Sequence, residues 1–145
     1  MVLDYLEKIK KLMEELNYEV ELDLISEDKS EDALYLNLKE DCELDQDLII
    51  TVYPYEDDLD GSVFIQFFSQ YNVDIQKIDD IYIKCNEMNR TVILGNFNIS
   101  ENTESIYFKY MLALNKESKM NAEFIADIID MNLDAIERFS DVLAS

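Results

Sequence analysis

Histidine and tryptophan are absent from this 145-residue chain, and glycine (two residues), cysteine (two) and proline (one) are scarce. Without histidine no Ser/His or Cys/His nucleophile pair can be assembled, and the commonest transition-metal ligand is missing. With only Gly61 and Gly95, neither a glycine-rich phosphate loop nor a dinucleotide fingerprint can be built, so no nucleotide cofactor is expected. Cys42 and Cys85 lie far apart with no CxxC or Cys/His spacing; they read as idle thiols rather than a disulfide framework or a zinc site. Long apolar runs are also lacking. The first residues, MVLDYLEKIKKLMEELN, alternate charge with apolar positions, which is not a signal peptide, and no stretch is apolar enough to span a bilayer. A cytoplasmic address without membrane association is the expectation. Asn89-Arg90-Thr91 and Asn98-Ile99-Ser100 match the glycosylation pattern, which has no consequence in that compartment.

Basic residues are few: 12 against 33 acidic ones, a net charge of −21. The imbalance is uneven. Residues 1 to 60 hold 20 acids and 5 bases, whereas residues 61 to 145 hold 13 and 7. Such a field repels nucleic acid phosphates and anionic lipid and favours basic partners, so direct nucleic acid binding is not expected. The hydrophobic share of 48% is too high for a disordered acidic chain. At 17.0 kDa, residues 1–145 read as a single domain.

Apolar periodicity orders the elements. Val2, Leu6, Ile9, Leu12, Met13 and Leu16 recur at spacings of three and four, a helix with one buried stripe. Tyr18, Val20, Leu22 and Leu24 then alternate with acids, and Leu34, Leu36 and Leu38 resume the alternation after a loop from Ser26 to Asp32. LIITVYPY at 48–55 reads as a third strand that ends near Pro54. Asp60-Gly61 turns the chain into a fourth, SVFIQFFSQY. Ile75, Ile78, Ile81, Tyr82 and Cys85 predict a helix beginning just after Asn72 as N-cap. TVILGNFNIS and SIYFKYMLALN read as another antiparallel pair, and the parity change between Val92/Leu94 and Phe97/Ile99 predicts a bulge at Gly95-Asn96. Phe124, Ile128, Ala135, Ile136, Phe139 and Leu143 mark a last helix from about Asn121 to Leu143. The expected fold is α+β, an antiparallel sheet covered by helices in the order αββββαββα.

In the second half, IYIKCNEMNRTVILGNFNISENTESIYFKYMLALN followed by NAEFIADIIDMNLDAIERFSDVLAS resembles the YbjN family. The matching features are the helix ending in Asn86 and Asn89, the strand with Gly95 and Phe97, the strand with Tyr107, Tyr110 and Leu112, and the helix with Asp134, Phe139 and Leu143. The resemblance covers about residues 73–145; the first half agrees in element order and length. It implies a fold like that of type III secretion chaperones, and an acidic, often dimeric protein that binds other polypeptides or acts in regulation without catalysis.

Carboxylates are the remaining chemistry. Glu56, Asp58 and Asp60 before Gly61 imitate the opening of a calcium loop, but its twelfth position is Phe67; Asp41, Glu43, Asp45 and Asp47 have Gln46 in place of the glycine and Val52 at position twelve. Solvated turns account for both, and no metal site is expected. The candidate partner-binding residues are Tyr53, Tyr55, Phe64 and Phe68, some of which alternation sends to the sheet face opposite the core, together with Asp57, Asp58 and Asp60. The expected function is non-enzymatic binding of a protein or peptide partner, chaperone-like or regulatory, by a homodimer. The alternative is an acidic inhibitor, an immunity protein or nucleic acid mimic, that neutralises a basic protein through the clusters of residues 27–60.

Overall fold

A computed structural model describes residues 2–23, 33–37, 47–54, 63–72, 78–92, 94–100, 105–114 and 121–138. Among them are three helices and six strands: α1 (Val2–Glu15), β1 (Val20–Asp23), β2 (Ala33–Asn37), β3 (Asp47–Pro54), β4 (Val63–Asn72), α2 (Ile78–Thr91), β5 (Asn96–Ile99), β6 (Ser105–Leu114) and α3 (Ala122–Arg138). The order αββββαββα is the one the periodicities predict. All six strands form one antiparallel sheet in the order β1-β2-β3-β4-β6-β5. The first four form a meander. After α2, the β5–β6 hairpin returns with β6 against β4, and the two pair over ten positions from Val63↔Leu114 to Asn72↔Ser105.

One face of the sheet carries the core. Leu34, Leu48, Ile50, Val52, Val63, Ile65, Phe67, Tyr71, Phe97, Ile106, Phe108 and Leu114 share that face and are buried, as strict alternation across a registered ladder requires. Leu6, Ile9 and Met13 of α1, Ile81, Cys85 and Met88 of α2, and Ile125, Ile129 and Ile136 of α3 complete the same cluster. Helix α1 packs on β1, β2, β3 and α3, and α2 packs on β5.

Helix ends follow local chemistry. After α1 the chain turns through Asn17 at φ 67°. Asn17 N–H donates to Glu14 O and Tyr18 N–H to Met13 O, each at 3.0 Å, the paired bonds of a Schellman ending with asparagine in the left-handed position. At the start of α3, Asn121 Oδ1 accepts from Phe124 N–H at 2.8 Å, an N-cap.

Several expectations are corrected. Asn72, expected as the cap of α2, is the last residue of β4, paired with Ser105; the helix is described from Ile78, and residues 73–77 lie outside the described residues. Tyr82 is 52% exposed, because the buried stripe of α2 runs Ile81, Cys85, Met88 and leaves Tyr82 about 100° away. Thr91 ends α2 and Val92 follows in no regular element, so the predicted strand at 91–100 shortens to Asn96–Ile99. The parity change comes from the turn before that strand rather than from a bulge, with Gly95 at φ +72°. The loops Ser26–Asp32 and Glu56–Gly61, Cys42, and Phe139 and Leu143 lie outside the described residues.

Candidate binding face

The sheet face opposite the helices is built by the other parity of each strand. Registers place Glu21, Tyr35, Ile49, Phe68, Lys109 and Asn96 in one row across all six strands. The next row runs Asp23, Ala33, Thr51, Gln66 and Met111, and a third runs Tyr53, Phe64 and Ala113. Phe68 also stacks on Tyr107, with centroids 5.4 Å apart and planes at 28°.

Three of the aromatic candidates read from the sequence therefore meet on this face. Tyr53 and Phe64 are direct cross-strand partners, and Phe68 faces Ile49 two repeats further along, with Thr51 and Gln66 between. Tyr53 is 40% exposed and so is Met111; Tyr35, Ile49, Phe64, Phe68 and Tyr107 are half-buried. Tyr71, of opposite parity, is in the core. Tyr55, Asp57, Asp58 and Asp60 lie outside the described residues. Sequence reasoning missed Tyr35, Ile49, Tyr107 and Met111, although the signal was present: in SIYFKYMLAL, Tyr107, Lys109 and Met111 are out of phase with Ile106 and Phe108.

Charged residues on this face include Glu21 and Asp23 on the edge strand β1 and Lys109 on β6, between β4 and β5. Helix charges pair locally, Lys10 with Glu14 at 2.9 Å and Arg138 with Asp134 at 3.6 Å, both exposed. Among the described residues no group of three or more Cys, Asp or Glu is arranged to hold a metal ion. Cys85 is buried, and burial pushes its thiol above the ordinary value. The thiol donates to Phe97 O at 3.2 Å, a setting that disfavours a nucleophilic thiolate. No helix among the described residues is long and apolar enough to cross a membrane.

What these features define is a class, an α+β protein whose sheet is packed by helices on one side and bears an aromatic, charge-poor surface on the other. The chain belongs to the YbjN family, whose model, described as "Putative bacterial sensory transduction regulator", matches residues 5–145. That match extends the resemblance of the second half over the first. The crystal structure of YbjN from E. coli, titled "a putative transcription regulator", superposes with a TM-score of 0.62 at 11% identity, covering 94% of this chain and 91% of that one. An uncharacterized protein from Methanothermobacter thermautotrophicus superposes with a TM-score of 0.51 at 14% identity, covering 94% and 97%. At such identities the likeness shows the fold. No curated protein matches the chain.

Proposed function

We infer that the chain, acting as one domain, is a non-enzymatic regulatory module that binds a polypeptide partner on the helix-free face of its sheet. The carrying observation is the row Tyr35, Ile49, Phe68 and, on the same face beyond Thr51 and Gln66, the pair Tyr53 and Phe64, apolar side chains gathered on one face of a strongly acidic protein. Apolar side chains clustered on an open sheet face mark interaction sites in otherwise charged proteins. The reading includes a cytoplasmic address and assembly as a homodimer; its regulatory part is in keeping with the description of the family.

The test is affinity capture from the native lysate at low and high salt, with wild type beside a Tyr53→Lys/Phe68→Lys variant and an Asp57→Lys/Asp58→Lys/Asp60→Lys variant. A partner held by apolar contact survives high salt, is lost with the first variant and is kept by the second. Retention of the partner by the Tyr53/Phe68 variant at wild-type stoichiometry would refute the reading. Loss at high salt and with the aspartate variant would point instead to the acidic inhibitor, because screening over about 3 Å at about 1 M salt removes charge-driven association.

A further inference from the structure

An open sheet has two edges, each presenting alternate peptide groups that a neighbouring chain could pair with. The two edges here are treated very differently. At β5, Asn89 of α2 reaches the outer side of the strand, where its Oδ1 accepts from Phe97 N–H at 2.6 Å and its Nδ2 donates to Phe97 O at 2.8 Å. One side-chain amide thus reproduces both hydrogen bonds that an added strand would make with that residue. The Cys85 thiol donates to the same carbonyl, so the β5 edge is closed at its centre.

At the other edge, among the described residues, β1 pairs with β2 alone and no side chain caps its outer peptide groups. An open recess lined by Glu21, Leu22, Asp23 and Tyr35 runs alongside. Glu19, Glu21 and Asp23 are exposed, two residues apart and so on one side of an extended chain. Among the described residues none of the three carboxylates has a cationic partner. Val20 and Leu22, on the other side, pack against the core. A strand laid against β1 would meet carboxylates on one of its faces and continue the apolar layer on the other.

We propose that β1 is a strand-addition site for a basic partner segment in which lysine or arginine alternates with apolar residues. Charge complementarity selects this occupant. The same carboxylates exclude a second copy of β1, because like charges placed opposite each other across a strand pair are destabilising. A short, acidic edge is protected from self-association while remaining open to a chain of opposite charge. The proposal concerns the sheet's edge; Tyr35 is shared with the open face, whereas Tyr53 and Phe68 do not line the recess.

The experiment uses the full isotope-labelled chain and a blocked hexapeptide of alternating lysine and valine, with backbone amide exchange as the readout. Alternate amides of Val20–Asp23 should slow by about ten-fold or more at saturation, while the Phe97 amide is unchanged. Two further peptides, N-methylated at the odd or the even residues, keep the side chains and lose one set of donors each; one of them should fail to slow β1. Equal protection by both methylated peptides, or protection confined to β4 and β6, would overturn the proposal. A Glu21→Gln/Asp23→Asn variant should bind the parent peptide about ten-fold more weakly, and unchanged affinity would also overturn it. The Tyr53→Lys/Phe68→Lys variant should bind the peptide as wild type does, which separates failure here from failure of the face-binding reading.

Discussion

Gly95 and Cys85 show how single residues hold the junction between α2 and β5. A Cβ added at Gly95 would lie 2.6 Å from Phe108 Cζ and 3.0 Å from Lys109 O, at a φ of +72° that side chains rarely adopt. Gly95→Ala should therefore lose about 2–4 kcal/mol, the left-handed strain and the overpacking together, read as a lower urea midpoint with an unchanged slope. Cys85 ties the fold to pH. Its thiol is raised above 9.0 by burial, so the unfolded chain loses this proton at lower pH than the folded one does. The associated stability is complete below the unfolded value and is lost as pH rises through the folded one. Urea titrations from neutral pH into the alkaline range should show a shallower decline for Cys85→Ala than for wild type; parallel declines would remove the thiol from the account.

At the scale of elements, capping and packing compete with propensity. Asn121 caps α3 through the Phe124 amide, and Asn121→Ala should cost about 1 kcal/mol, seen as a drop in melting temperature. The alternations of β1 and β2 and the stripes of α1 and α3 were legible because one face of each is buried and the other wet, and β3 and β4 were legible from their β-branched and aromatic residues. The stretch Thr91 to Leu94 was not. Its β-branched residues read as strand, yet the helix runs on to Thr91, whose hydroxyl donates to Met88 O at 3.0 Å and whose carbonyl accepts from Arg138 of α3 at 3.3 Å. The Arg138 contact spans 47 residues, beyond any local pattern. The binding face was legible only in part for a related reason. Tyr53, Phe64 and Phe68 stand out in their own strands, whereas their grouping with Tyr107 and Met111 depends on β6 pairing with β4, which no local period encodes.

For the whole molecule, a net charge of −21 means that the folded state works against its own repulsion. Helical ion pairs such as Lys10–Glu14 are exposed and contribute little. Raising the ionic strength from about 0.01 M to about 0.5 M should lift the melting temperature by on the order of 3 °C, roughly 1 kcal/mol for a chain of this size. A flat or falling response would show that self-repulsion is already relieved.

The placement of β6 between β4 and β5 also sets a schedule for folding. The meander β1 to β4 can form as soon as Asn72 is made, but β4 then waits for a neighbour whose last residue, Leu114, comes 42 positions later in the ten-residue pairing. At ribosomal rates of about 5–20 residues per second that interval lasts roughly 2–8 seconds. Throughout it the longest strand of the nascent sheet is bare along one side, so the chain is most vulnerable to misassembly during its own synthesis.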